Sequence, residues 1–470
     1  MAEATMADPI LVPFEGNGSG EADLTWGQQH IWDWMTTSGK TLNMTATRAL
    51  DEGATIDEFV DELRFFMSRF EAMRTRYRFD EHGWPRQVVH RTGEATLRLV
   101  DAPTGTDPAE VAAAVSASDQ EKHFDHANEW PVRMTLVRQD GRLTHLVTTL
   151  GHALFDSIAA MVMFTDLLDR DPATGAAKEP ISDMTPLELA AWQASPAAQR
   201  QSAAALRYWE QHLRAIPARR SAGPVHAVPP DEERYWRYVY ESPAIGLALR
   251  RLARRLGAET TSILLTAYAM ALAEVAAHHP VVLQVLVNNR FRSRLARTVS
   301  PVNQAGLFVL DLAGATFDEA VARTRQRTIS VYKHAYYNQV DRDRLVARVA
   351  RERGSEIELA SFVNDRRTQT SVDVDSPPPS AADVRAALPA SRLRLEPFDS
   401  FNKSLMLTIN DAPDGVMMTF ETDVAFLPLT QLEAVVHRVE ALVVGAALEE
   451  DGASTERGDG GVQVAGREQR

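Results

Sequence analysis

Residues 143–168 read LTHLVTTLGHALFDSIAAMVMFTDLL. Leu143 to Leu150 is an apolar strand, and Ser157 to Leu168 is an amphipathic helix. Between them lies Gly151-His152-Ala153-Leu154-Phe155-Asp156, a loop on which a rigid scaffold can aim side chains. Val132 to Arg138 is a second strand, joined to the first at Asp140-Gly141, a pair suited to a tight hairpin. A histidine on a loop after a buried strand can take up a proton near neutral pH, which makes His152 a candidate catalytic residue. Asp156, four residues on, can orient it or lock the loop. On spacing alone, an ordinary core or surface histidine is the commoner explanation of His-x-x-x-Asp.

Working outward, Thr25 to Met35 and Asp57 to Tyr77 read as helices. In the second, Phe59, Leu63, Phe66, Phe70 and Met73 share one face, and Thr55 with Glu58 has the spacing of a capping box. Gln87 to His90 and Thr96 to Val100 are short strands, and Asp107 to His123 is helical. Residues 1–19, Gly/Ser-rich and acidic, are expected to be flexible. Helices resume over Pro186 to Leu213, and the prolines at 224, 229 and 230 mark a linker.

The second half uses the same vocabulary. Tyr235 to Tyr240 is a strand, Ala244 to Arg255 and Thr261 to Ala277 are helices, and Val281 to Val287 is an apolar strand running into Asn288-Asn289-Arg290. Leu307 to Leu312 and Glu358 to Val363 are further strands, and 373–388 reads as a mobile Pro/Ala/Asp-rich loop. Ser404 to Ile409 and Val416 to Asp423 flank Asp414-Gly415 as a hairpin, and Leu429 to Ala447 is the last helix. Mixed strands and helices, seen twice, predict two α/β lobes. The expected division is 20–180 for the first lobe, 181–233 for inter-lobe helices and linker, 234–447 for the second lobe, and 448–470 for a disordered tail.

Composition narrows the chemistry. The chain has 470 residues, enough for two cores, and a formal net charge of −14, which argues against a nucleic-acid partner. The absence of cysteine removes disulfides, thiolate nucleophiles and Cys-ligated metal. The segment Ile263 to Ala277 is too short for a bilayer and is interrupted by Glu274; the N-terminus lacks a signal-peptide pattern. A cytoplasmic protein without a membrane partner is therefore expected, and its glycosylation-like triplets at Asn17, Asn43 and Asn402 carry no meaning there. His123, Asp125 and His126 have no third metal ligand in view, so no metal is expected. His278-His279 lacks an aspartate at the right spacing, and Gly16 to Gly20 is neither a P-loop nor a nucleophile elbow. Arg250, Arg251, Arg254 and Arg255 form a solvated helix face or a docking patch for an acidic partner.

The segment Thr148 to Ser157 resembles the active-site motif of the condensation-domain superfamily, which includes nonribosomal peptide synthetase condensation domains and chloramphenicol-acetyltransferase-like acyltransferases. Its pattern is His-His-x-x-x-Asp-Gly. Other pieces follow in the family's order: Leu24 to Gln28 with Ile31-Trp32; Glu71 to Tyr77 with Trp84-Pro85 and Gln87; Tyr208-Trp209 with Leu213; Asn289-Arg290 and Val302 to Phe308. The likeness spans about residues 20–445. Two positions depart from the pattern: Gly151 stands where the family has its first histidine, and Ser157 where it has glycine.

The resemblance implies two chloramphenicol-acetyltransferase-like lobes in a V-shaped pseudo-dimer, with a tunnel between them. It implies transfer of an acyl or aminoacyl thioester, carried on the phosphopantetheine arm of an acyl or peptidyl carrier protein, to a small-molecule amine or alcohol. Acyl-CoA is the alternative donor. His152 inherits the catalytic part. Asp156 inherits a structural part, paired with Arg290 or, next in line, Arg292. Gly151, Ser157 and Asn289 become candidate tunnel-lining residues. The chain ends carry no adenylation or carrier segment, so a free-standing enzyme of natural-product biosynthesis is expected. The competing expectation, suggested by Gly151 and Ser157, is a degenerate domain that recruits or binds other proteins.

Overall fold

The computed structural model describes residues 4–217, 228–229, 232–277, 279–368, 377–398 and 403–449. Most of the expected linker, His278, the start of the 373–388 loop, Asn402 and the tail from 450 onward lie outside the described residues. Two compact units emerge. The first comprises Met1–Arg207, Asn288–Gln304 and Tyr336–Leu345; the second comprises Tyr208–Val287, Ala305–Ala335 and Val346–Arg470. A single cut at the linker therefore does not divide the chain: two later segments return to the first unit.

The first unit is built on the hairpin legible in the sequence. Val132–Gln139 and Arg142–Leu150 pair antiparallel, and Asp140 (φ 49°) and Gly141 (φ 80°) make the tight turn. These strands are central in a six-stranded sheet that also contains Thr92–Asp101, Met44–Ala49, Thr5–Met6 and Ile10–Glu15. One face, with Met134, Leu136, Leu146 and Leu150, is covered by Phe59, Leu63 and Phe66 of helix Ile56–Arg69 and by Ala159, Val162 and Met163 of helix Ser157–Leu168. The other face, with Val137 and Val147, packs on Val111 and Ala112 of helix Pro108–Glu121. Burial on both faces explains the nearly unbroken apolar run of the motif strand.

Several expectations need correction. Residues 1–19 are not loose where described: Ile10–Glu15 is a strand whose Val12 and Phe14 are 0% and 5% exposed. Period-two alternation is present in ILVPFE, but the flanking Gly/Ser composition masks it. The Asp57 to Tyr77 helix ends at Arg69, with a capping box of Thr55 and Glu58 at its start. A short 3-10 turn, Glu71–Arg74, then leads into strand Thr75–Phe79, which belongs to a three-stranded sheet with Pro85–Val89 and Gly20–Asp23.

The second unit holds a seven-stranded mixed sheet. Its order is Gln304–Leu310, Val281–Val287, Ser361–Asp365, Leu405–Ala412, Gly415–Asp423, Tyr235–Ser242 and Arg392–Pro397. Helices Pro243–Leu256, Thr260–Val275 and Leu429–Leu448 pack on Met418, Phe420, Leu407 and Ile409 of that sheet. Ala412 pairs with Gly415, so the hairpin turn is Pro413-Asp414, one residue earlier than read from Asp-Gly. Gly415 instead sits against Ser242 and Pro243, where a Cβ would come within 2.4 Å of the Ser242 carbonyl oxygen. Residues 381–387 of the expected mobile loop form a helix, started by a Ser380–Asp383 capping box. Helices Phe317–Lys333 and Gln339–Arg353 have no counterpart in the sequence reading. Among the described residues no single helix is long and apolar enough to cross a membrane.

Candidate active site

The loop after strand Arg142–Leu150 is held from every side. Gly151 N–H donates to Pro131 O at 3.0 Å, Leu154 N–H donates to Gly151 O at 3.0 Å, and Tyr77 Oη donates to Ala153 O at 3.3 Å. Ala153, Leu154 and Phe155 are at most 1% exposed and anchor the loop in the core. His152 is only half-buried. Its Nδ1 lies 2.6 Å from Phe155 O. A carbonyl oxygen can only accept, so Nδ1 carries the hydrogen and, in the neutral ring, Nε2 carries the basic lone pair.

Asp156 serves as a structural knot. Oδ1 accepts from Ala159 N at 2.7 Å, the N-cap bond of helix Ser157–Leu168. The same oxygen accepts from Arg290 Nη2 at 2.6 Å, and Oδ2 accepts from Val302 N at 3.2 Å. Both side chains are buried, 7% exposed for Asp156 and 6% for Arg290. Arg290 Nη1 donates to Thr298 O at 2.8 Å, and Nη2 also reaches Ser300 O at 3.3 Å. One arginine thus gathers the loop from Asn288 to Val302 and ties it to the start of the motif helix.

Arg292 does not take the Asp156 partnership. Its Nε donates to Asn289 Oδ1 at 3.1 Å, and its guanidinium lies over the Tyr336 ring. Asn289, proposed from sequence to line a passage, is fully buried at φ 57° and donates from Nδ2 to Val302 O at 3.0 Å. Its conformation favours asparagine, and its side chain closes the same loop. Gly151 is also buried: a Cβ there would lie 3.3 Å from Phe124 Cδ2 and 3.7 Å from Pro131 Cβ. Phe124, under the Arg133 guanidinium at 3.9 Å, occupies the space a side chain at 151 would enter. Of the three tunnel-lining candidates only Ser157 is exposed.

The remaining candidates also fall into place. His126 stacks on Tyr77 at 5.3 Å and meets Trp32 edge-on at 5.4 Å; burial pushes it down to about 4. Arg255 bonds Asp318, and Arg251 donates to Pro379 O at 2.9 Å, so both are committed within their own unit. Sequence reasoning missed Phe155 O and Val302 N, because backbone partners leave no signature in residue spacing. It also missed Lys403, which lies with its ammonium 4.4 Å from the Phe362 ring centre and is pushed down to about 8 by burial.

A basic imidazole on a rigid strand–helix loop, with its following aspartate locked to an arginine, defines an HxxxD-type site on a mixed α/β fold. Residues 19–359 match the family described as Condensation domain, and the chain belongs to that family. One of the linear gramicidin synthase subunits of Brevibacillus parabrevis is 22% identical over 444 residues, covering 90% of this chain but 8% of that protein. The chain thus spans under a tenth of its curated relative's length. Among solved structures, the condensation domain of chain release from the enacyloxin polyketide synthase matches with TM-score 0.69 at 17% identity, over 92% of this chain and 84% of that one. The X-domain from teicoplanin biosynthesis matches with TM-score 0.68 at 16% identity, over 92% and 96%. The X-domain in complex with OxyB matches with TM-score 0.67 at 16% identity, over 93% and 96%. These structural likenesses carry the fold.

Proposed function

We propose that the protein is a condensation-type acyltransferase of natural-product biosynthesis. An acyl or aminoacyl thioester on the phosphopantetheine arm of a carrier protein is attacked by an amine or hydroxyl. The new C–N or C–O bond forms as the C–S bond breaks, and the thiol leaves. His152 Nε2 accepts the nucleophile's proton or orients it, and holding the two reactants together supplies much of the rate. The observation that carries this reading is the 2.6 Å contact of His152 Nδ1 with Phe155 O, which leaves Nε2 as the basic nitrogen. Asp156, committed to Arg290, Ala159 and Val302, acts by holding the loop and not by touching substrate.

Gly151 and the likeness to the teicoplanin X-domain favour a second reading, a non-catalytic module that binds a partner protein. The test incubates the protein and His152→Ala with acyl-loaded carriers and a panel of amines and alcohols, with acyl-CoA as a parallel donor. Product from the wild type, lowered by ~10²–10⁴ in the variant, supports catalysis by His152. Equal rates remove His152 from the chemistry. No product with native substrates from a folded wild type favours the binding module.

A further inference from the structure

The seven-stranded sheet of the second unit ends on strand Arg392–Pro397, RLRLEP. It pairs antiparallel with Tyr235–Ser242, and among the described residues no strand takes its other edge. Phe398 N–H donates to Tyr235 O at 3.1 Å, which fixes the alternation of the backbone. The N–H and C=O groups of Arg392, Arg394 and Glu396 point to the inner neighbour; those of Leu393 and Leu395, with Pro397 O, point outward. The side chains alternate too. Leu393 and Leu395 lie opposite Tyr240 and Tyr238, yet are 39% and 42% exposed. Arg394, 68% exposed, and Glu396 lie on the other face, 3.5 Å apart.

Open edges are blunted by charges and proline, and this one carries both. Those residues exclude most partners but suit one, a second copy of the same strand. In an antiparallel pair of copies, the position of the twofold decides which side chains face each other. Centred on Leu395, it sets Leu395 against Leu395, Leu393 against Pro397, and each Arg394 against Glu396 of the other copy. Centred on Leu393 or Arg394 it sets arginine against arginine, and centred on Glu396 it sets glutamate against glutamate. The Leu395 register also uses the outward backbone groups. Leu395 N–H meets the other Leu395 O in both directions, and Leu393 N–H meets Pro397 O. The missing proline N–H leaves only Leu393 O to water. Within each chain Glu396 keeps Arg237 at 3.2 Å, and Arg392 lies opposite Glu241, so the inner neighbour balances the remaining charges.

We propose that strand Arg392–Pro397 is a homodimer interface, pairing antiparallel with the same strand of a second copy across a twofold at Leu395. The contact is isologous and joins the two seven-stranded sheets edge to edge. It does not rest on the catalytic reading. A strand pair buries a small area, so the dimer forms in the micromolar range.

Sedimentation velocity of the full chain, from about 1 to 200 µM, reads the association. Leu395→Pro removes an outward N–H and spares the ladder to Tyr235–Ser242; it is expected to weaken the dimer by at least about tenfold. Arg394→Glu and Glu396→Arg each set like charges face to face, and each is expected to weaken it by about tenfold. An equimolar mixture of those two variants restores opposite charges at both positions and is expected to recover wild-type affinity to within about threefold. The chain has no cysteine, so Leu395→Cys carries a single thiol. Paired across the twofold, its Cα atoms would lie about 5.5 Å apart, within disulfide reach. Mild oxidation is expected to cross-link Leu395→Cys but not Leu393→Cys, whose copies would lie about 14 Å apart along the strands. The cysteine pair keeps the test valid if Leu395→Pro does not fold. A monomer throughout the concentration range, a dimer indifferent to Leu395→Pro in folded protein, a mixture that recovers no association, or equal cross-linking of the two cysteine variants overturns the proposal.

Discussion

At the scale of single residues, the HxxxD motif divides its labour unevenly. Asp156 and Arg290 are both buried and bonded at 2.6 Å. Asp156→Asn keeps an acceptor for the Ala159 amide but leaves the arginine as a buried unpaired charge. Breaking such a pair costs about 3–5 kcal/mol, so urea unfolding should show a loss of that order; an unchanged midpoint would make Asp156 a chemical group instead. His152→Ala should unfold at the wild-type midpoint, since the ring is half-buried and its Phe155 contact is local. His126 provides the acid sensitivity. Its folded value of about 4 lies below the ordinary histidine value, so between those limits the unfolded chain binds more protons. Stability contributed by the neutral, stacked ring is therefore complete above about pH 6.5 and falls as pH drops through that window, by roughly 3 kcal/mol. His126→Phe, which retains the contacts with Tyr77 and Trp32, should flatten that part of a stability–pH curve. A slope unchanged by the substitution would assign the acid loss to other groups.

At the scale of elements, the motif strand, its hairpin and the motif helix were legible because periodicity, an Asp-Gly turn and an apolar run all agreed. Strand Ile10–Glu15 was not, since a glycine-rich neighbourhood and Pro13 outweighed its alternation. The structure gives that strand weight: Phe14 meets Trp130 edge-on at 5.3 Å and is 5% exposed. Phe14→Ala should cost about 3–5 kcal/mol in equilibrium unfolding, whereas a truly loose N-terminus would show no change. The loop start offers a second test. Histidine at 151 must displace the Phe124 ring, because even its Cβ would lie 3.3 Å away. Gly151→His is expected to destabilise by roughly 1–3 kcal/mol, and adding Phe124→Ala should recover part of that loss. Strict additivity of the two substitutions would mean that Phe124 is not what replaced the family's first histidine. The spacing of Gly151 before His152 gave no hint of this exchange, since Phe124 is far away in sequence and reaches the site only through the fold.

At the scale of the whole molecule, the loop that carries His152 depends on chain segments that arrive much later. The backbone passes between the two units after Arg207, Val287, Gln304, Ala335 and Leu345. Arg290 and the Val302 amide, both partners of Asp156, come from the first returning segment, and Tyr336, which packs on Trp26 at 5.1 Å, comes from the second. Gly27 records the same dependence: a Cβ there would come within 1.9 Å of Pro301 O, so the helix that opens the fold is shaped to receive the later loop. A reading that cuts the chain once at its linker therefore separates a site from its own supports. A fragment ending at Arg207 contains the motif strand, the motif helix and His152, yet lacks every one of these contacts. Its Asp156 would keep only the N-cap bond. Hydrogen exchange should accordingly show the Leu154 and Ala159 amides, bonded to Gly151 O and Asp156 Oδ1, exchanging much faster in the fragment than in the full chain. Adding back a peptide of residues 288–304 at high concentration should slow them again. If both amides keep full protection in the fragment alone, the strand and helix hold the loop unaided, and the Asp156–Arg290 pair serves the later segment and not the site.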